Sequence, residues 1–331
     1  MEHYPIDLKE IDRTVEEQKD WVKKLQDGQF GHFSCFDDVE KFVHHPEHTK
    51  IHFDLIPGKT PRKPYRHRCP VHLLEELKKF HVDMYRRGFI KPITDANHLS
   101  PVLIVRKPDN ADGSSRGYRF VVSMVEINEC LQKCNNQLPL GEEMFDRLKD
   151  AKRISCFDLK TGYWLAELDA STQRLCSFQS EFGAWAYRVL PMGASPSAGI
   201  YSEWVTRIYR RYNVLVGREV FSSLDEEYEK QVNEGSDVSL NREDQRTTIS
   251  SIPDELRYKG DGFLDTFLDD AIVSSLSDEE HRAHILLFLK INSRENLPIQ
   301  FKKCTWFTKY TRFLGIVVGN GMLMTDPMKV Q

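Results

Sequence analysis

The chain has 331 residues, of which 40% are hydrophobic and 29% charged, with a formal net charge of −4. That is enough for one large or two ordinary domains, and a mean hydropathy of −0.51 fits a water-soluble globular protein. No run approaches the ~18 apolar residues of a membrane span, residues 1–11 lack a secretory apolar segment, and seven scattered cysteines give no disulfide framework, so the expected location is the cytosol or nucleus.

The net charge hides a segregation. Residues 1–55 carry 13 acids against 7 Lys/Arg, residues 56–107 carry 12 Lys/Arg against 4 acids, and residues 281–331 carry 8 against 2. Basic segments on either side of an acidic centre suit a phosphate-backbone channel, although basic residues spread over solvated faces give the same count.

In chain order, Val15, Trp21, Val22 and Leu25 suggest an amphipathic helix in an acidic extension over 1–47. His44, His45, His48 and His52 lack regular ligand spacing, and Cys130 with Cys134 has no second pair, so neither group reads as a metal site. Ile51 to Leu55 reads as a short strand ended by Pro57-Gly58. Pro70 opens and Gly88 closes a helix with Leu74, Leu77, Phe80 and Met84 on one face. Pro101–Val105 and Tyr118–Val122 form a basic hairpin carrying Arg106, Lys107, Arg116 and Arg119, cations of the kind that bind a triphosphate.

Leu140 to Ala151 reads as a helix, and Arg153 to Leu159 as an apolar strand ending in Asp158. A carboxylate there is costly unless paired or bound to metal. A hairpin over Ser177–Phe182 and Ala184–Val189 precedes Leu190-Pro191-Met192-Gly193 and a helix to about Tyr212. Residues 219–262, with 12 acids against 5 Lys/Arg, read as a poorly packed insertion. Phe263 to Leu268 and Ala271 to Val273 then form a hairpin with Asp269-Asp270 at its tip. Ser277 and Glu280 make a capping box for a helix to about Ile291. A hairpin of Phe313–Val318 and Met322–Met324 closes on Gly319-Asn320-Gly321. The order is mixed α+β without βαβ regularity. If the strands of Asp158 and Asp269 are neighbours, carboxylates converge that can hold two Mg²⁺ ions for phosphoryl transfer.

From about His48 onward these motifs resemble the reverse transcriptases of gypsy-type LTR retrotransposons and, more distantly, of retroviruses. Phe157-Asp158-Leu159-Lys160-Thr161-Gly162-Tyr163 is similar to the first catalytic motif, Leu190-Pro191-Met192-Gly193 with Tyr201 to the second, and Phe267-Leu268-Asp269-Asp270 to the aromatic-x-Asp-Asp motif. Lys303-Cys304 with Phe313-Leu314-Gly315 resembles the segment that ends in the primer grip. Gly88-Phe89-Ile90-Lys91-Pro92 and Ser100-Pro101-Val102 resemble the start of the fingers. The resemblance implies a right-hand polymerase fold with an antiparallel palm sheet: fingers over 48–151, palm over 152–301 with the 219–262 insertion, and over 302–331 the grip hairpin and only the start of a thumb.

It further implies an RNA-directed DNA polymerase, a nucleotidyltransferase joining dNTPs to a primer 3′-hydroxyl on an RNA or DNA template. Asp158, Asp269 and Asp270 would be catalytic and, with the Leu159 carbonyl, would hold two Mg²⁺ ions, Mn²⁺ being able to substitute. Lys107, Arg119, Tyr163, Met192 and Lys303 would contact the nucleotide, with Tyr163 as the steric gate against a 2′-hydroxyl and Lys303 protonating pyrophosphate. Phe313, Leu314 and Gly315 would grip the primer. Implied partners are the template–primer duplex, dNTPs and polyprotein domains such as ribonuclease H and integrase that this chain does not carry; no membrane is involved. The chain departs from the family at Phe267, where Tyr is usual, at Pro196, at Ser123-Met124-Val125 in place of Asp-aromatic-Arg, and in the acidic insertion. The alternative reading is a catalytically silent, template-binding relic.

Overall fold

The computed structural model describes residues 6–37, 41–42, 44–45, 48, 50–62, 68–96, 98–107, 117–132, 141–159, 162–216 and 252–329. Lys160 and Thr161 of the first motif, Arg116, Cys134 and most of the acidic insertion lie outside the described residues.

The described α-helices are α1 (Lys19–Gln26), α2 (Leu74–Arg86), α3 (Val125–Asn128), α4 (Gly141–Lys149), α5 (Ala170–Leu175), α6 (Ser197–Arg210) and α7 (Asp278–Arg294). The first six strands are β1 (Ile90–Pro92), β2 (Ser100–Arg106), β3 (Tyr118–Val122), β4 (Arg153–Asp158), β5 (Ser177–Ser180) and β6 (Gly183–Tyr187). They are followed by β7 (Leu264–Phe267), β8 (Asp270–Ser275), β9 (Thr305–Thr308), β10 (Thr311–Phe313), β11 (Ile316–Gly319) and β12 (Met322–Thr325). The chain forms two compact units, one of residues 1–38, 137–160 and 202–331, the other of 39–136 and 161–201.

The second unit is built on a five-stranded sheet ordered β1-β6-β5-β2-β3, with β2 parallel to β5 and the other pairs antiparallel. Pro92 ends the edge strand β1, where a missing N–H costs no ladder bond. Helix α2 buries Leu77 and Met84 of the expected stripe, while Leu74 and Phe80 are only half-buried and His81 takes the third buried position. The expected strand at Ile51 to Leu55 does not form. Ile51 bridges Leu168 and Leu55 bridges Leu131, so the two ends bond different partners and no continuous ladder develops.

The first unit holds a four-stranded antiparallel sheet, β7-β8-β4-β9, and a three-stranded one, β10-β11-β12. Side chains alternate along β4. Ser155 and Phe157 meet α7, through a Ser155–His281 hydrogen bond of 2.8 Å and a Phe157–Phe288 ring contact of 4.6 Å. Ile154 and Cys156 face the opposite core of Met144, Leu148, Ile272, Phe313 and Val318. Asp158 follows on that second face.

Helix α7 begins at Ser277 as expected, through the N-cap half of the capping box, the Glu280 N–H donating to Ser277 Oγ at 3.2 Å, and runs to Arg294, beyond the expected end near Ile291. The expected strand Phe313–Val318 instead folds back on itself: Leu314 (φ 48) and Gly315 (φ 84) form a two-residue turn that pairs β10 with β11. Asn320 (φ 49) and Gly321 (φ 78) make the next turn, of the type the Asn-Gly pair favours. Its N–H groups donate to the Ala151 and Lys149 carbonyls at 2.8 and 2.6 Å, satisfying acceptors at and just beyond the C-terminus of α4.

Candidate active site

The expected hairpin forms with its tip one residue earlier than expected, so that Asp269 stands on the turn and Asp270 is the first residue of β8. β7 and β8 pair as far as Phe267 and Asp270, leaving Leu268 and Asp269 at the corner. Leu268 adopts φ 53, a left-handed conformation that costs a branched residue about 1–2 kcal/mol. Strain of this kind persists where the surroundings impose it, and it collects at functional sites.

β4 runs antiparallel to β8 with Asp158 directly opposite Asp270, so both side chains emerge on one face. The Leu159 N–H donates to the Asp269 carbonyl at 2.8 Å, and the Gln300 N–H donates to the Asp158 carbonyl at 3.0 Å. The end of the acid-bearing strand is thus held from both sides, and three carboxylates from two distant segments share one end of the sheet.

Like charges placed opposite each other destabilise a ladder. Asp269 and Asp270 are solvent-exposed as residues, yet the protein packed around their carboxyl groups removes part of the hydration. That burial raises the Asp269 pKa above its ordinary value, and repulsion from Asp270 and Asp158 raises it further, with Lys303 opposing. Asp270 is raised by burial and then by Asp158, again with Lys303 opposing. Lys303, on the 3-10 turn Phe301–Lys303, places Nζ 3.1 Å from Asp158 Oδ2. One ammonium does not balance three carboxylates. The donor set is all oxygen, carried by a strand end and a tight turn, which suits small hard divalent cations such as Mg²⁺.

The other expected residues are placed as follows. The Lys107 N–H donates to the Gly117 carbonyl at 2.9 Å, extending the β2–β3 ladder, and Arg119 pairs with Val105, so Lys107 and Arg119 are diagonal neighbours on one face of the ribbon. Tyr163 lies on the 3-10 turn Gly162–Leu165 and stacks on buried Tyr201 with centroids 5.0 Å apart. Met192 is exposed. The segment after it is held by Asn128, whose Nδ2 donates to the Gly193 carbonyl at 2.9 Å and whose Oδ1 accepts from the Ser195 N–H at 2.8 Å. Phe313 packs edge-on against Phe267 of the acid hairpin, with centroids 6.0 Å apart, and against Phe145 of α4. Leu314 and Gly315 form the β10–β11 turn.

Two further ionic groups lie in the unit that carries the acid cluster. Asp265 on β7 is buried, and its Oδ1 accepts from Arg147 Nε at 3.2 Å and Nη2 at 2.6 Å, while Oδ2 has no hydrogen-bond partner among the described residues. An acid inside the apolar run Phe263 to Phe267 was the available signal. Asp12, in the N-terminal extension, binds Arg312 and Thr311; nothing local in the sequence marks it.

A family model described as reverse transcriptase (RNA-dependent DNA polymerase) matches residues 105–318. A putative enzymatic polyprotein of Cassava vein mosaic virus is 23% identical over 257 residues, 77% of this chain and 32% of that protein. The enzymatic polyprotein of Figwort mosaic virus (strain DxS) is 24% identical over 248 residues, covering 71% and 30%. The chain therefore spans about a third of the length of these relatives. Among solved structures, a foamy viral protease-reverse transcriptase in complex with an RNA/DNA hybrid superposes with a TM-score of 0.63 at 16% identity, over 97% of this chain and 35% of that one. The α+β arrangement is accordingly that of the right-hand polymerases.

Proposed function

The chain belongs to the reverse transcriptase family, and on that premise we propose that it is an RNA-directed DNA polymerase that transfers nucleotidyl groups from dNTPs to a primer 3′-hydroxyl. The observation that carries the proposal is the register of β4 against β8, which sets Asp158 opposite Asp270 with Asp269 on the adjoining turn. On this reading residues 48–151 serve as fingers, 152–301 as palm and 302–331 as primer grip and start of the thumb. The motifs favour an LTR retrotransposon of the gypsy type as the source, within a longer polyprotein that supplies ribonuclease H and integrase.

Asp158, Asp269, Asp270 and the Leu159 carbonyl would hold two Mg²⁺ ions, or Mn²⁺ in their place. Bound there, such ions lower the pKa of a 3′-hydroxyl and stabilise charge on the transferred phosphoryl group and on pyrophosphate. The chain's own residues orient the reactants. Lys107 and Arg119, side by side on their ribbon, neutralise and align the triphosphate. Tyr163, backed by its stack on Tyr201, presents a ring that excludes a ribose 2′-hydroxyl. Met192 lies under the incoming nucleotide, and Lys303, released from Asp158, donates a proton to the departing pyrophosphate. Phe313, Leu314 and Gly315 hold the primer end of an RNA/DNA or DNA duplex.

Primer extension on an RNA template with dNTPs and Mg²⁺ tests the proposal. Template-directed incorporation is expected. Folded protein that binds the duplex without incorporating would instead identify a silent relic.

A further inference from the structure

The described residues up to Asp37 belong to the same unit as the acid cluster. The Asp12 N–H donates to the Tyr310 carbonyl at 2.9 Å and the Val15 N–H to the Phe307 carbonyl at 3.1 Å, so residues 11–15 run along the edge of β9 and β10. Trp21 of α1 packs on Phe307 with centroids 5.1 Å apart. Asp12 itself holds φ 58, a conformation Asp tolerates better than most residues, which turns its carboxylate to β10.

There it meets three donors. Asp12 Oδ1 accepts from the Arg312 N–H at 2.9 Å and from Thr311 Oγ1 at 3.0 Å, and Oδ2 accepts from Arg312 Nη1 at 2.8 Å. Thr311 in turn lies 3.4 Å from the Cys156 thiol on β4, two residues before Asp158. The other edge of the Arg312 guanidinium donates through Nε to Asp326 Oδ1 at 3.2 Å, and the Asp326 N–H donates to the Gly315 carbonyl at 3.0 Å. A continuous chain of bonds therefore runs from Asp12 through Arg312 and Asp326 to the Leu314-Gly315 turn. Asp326 is buried and Arg312 is half-buried between two carboxylates, conditions in which charge-assisted bonds are strong and geometrically selective. Asp12 and Asp326 both lie outside the residues matched by the family model.

We propose that Asp12 is a positioning residue for the primer terminus, acting through Arg312 and Asp326 to fix the Leu314-Gly315 turn. The inference rests on the reading of that turn as the primer grip. A turn between two three- and four-residue strands has little intrinsic rigidity; the clamp supplies it by tying both flanks to the body of the sheet. When the clamp is loosened, the gripping conformation is populated a smaller fraction of the time, and apparent duplex affinity falls by that fraction.

The test uses the full chain and an RNA-template/DNA-primer duplex, with variants Asp12→Asn, Arg312→Gln, the double variant and Leu314→Ala. Duplex dissociation constants are measured by fluorescence anisotropy and normalised by active-site titration. Asp12→Asn and Arg312→Gln are each expected to weaken duplex binding about tenfold, the double variant no more than either alone, and the KM for dNTP to stay within about twofold. Unchanged duplex affinity per active site in Asp12→Asn, with Leu314→Ala weakened, would overturn the positioning role and leave the grip standing. Multiplying effects in the double variant would also overturn it. Unchanged affinity in Leu314→Ala would remove the grip reading itself, and the inference with it.

Discussion

Arg147→Met should be among the most destabilising substitutions in the unit that carries the acid cluster. Asp265 is only 6% exposed, its Oδ1 has Arg147 as its donor, and burial already raises its pKa above 3.8 despite the opposing attraction of Arg147. Without the guanidinium the carboxylate must either stay charged in a dry site or take up a proton. Breaking such a pair from one side costs about 3–5 kcal/mol. Protonation sets a ceiling, because neutralising a carboxyl of ordinary pKa at pH 7 costs about 1.4 kcal/mol for each of roughly three units, or about 4 kcal/mol. A carboxyl whose folded-state pKa is raised contributes less stability as pH rises from its unfolded pKa toward its folded one, so the deficit should shrink as pH falls from 7 to 5. Urea denaturation of wild type, Arg147→Met and Arg147→Met/Asp265→Leu at both pH values reads this directly, and the double variant should recover most of the loss at pH 7. A loss below about 1 kcal/mol, or one that does not change with pH, would show that Arg147 does not hold Asp265 charged.

The remaining expectations concern backbone, protonation and sugar choice. Gly319→Ala places a Cβ 2.2 Å from the Lys309 carbonyl oxygen at φ +130, and should cost about 2–4 kcal/mol by denaturation; near-neutral behaviour would mean that this stretch of backbone moves freely. His281 is buried against Ser155, Ser275, His284 and Arg153, and burial pushes its pKa down to about 3. The unfolded chain takes up that proton below about pH 6.5, so stability should fall by up to about 1.4 kcal/mol per pH unit as the solution is acidified toward pH 3, and His281→Asn should flatten this slope. Tyr163→Ala should raise ribonucleotide use relative to deoxynucleotide use at least about tenfold in single-nucleotide extension; an unchanged ratio would remove the gate assignment.

The secondary elements that carry the site were legible because each has a local cause. The Ser277 N-cap starts α7, the Asn320-Gly321 turn closes β11 on β12, and the interrupted apolar run gives the β7–β8 hairpin. The juxtaposition of Asp158 with Asp270 was legible only as a condition, that the two strands be neighbours, and the register now meets it. Less could be read where local pattern is ambiguous or irrelevant. Phe313 to Val318 has the composition of one strand, and only the positive φ of both Leu314 and Gly315 shows it to be two. Asp265 reaches Arg147 across 118 positions and Asp12 reaches Arg312 across 300. Pairings at such separations are set by the packed fold and leave no periodic trace.

If Asp158, Asp269 and Asp270 form the proposed cation-dependent nucleotidyl-transfer site, primer extension on one RNA template–primer in Mg²⁺ must separate Asp269→Asn from the wild type. The wild type should extend the primer, while the variant should bind the duplex with unchanged affinity and fail to extend it. Extension by Asp269→Asn at the wild-type rate would remove Asp269 from the metal-binding set.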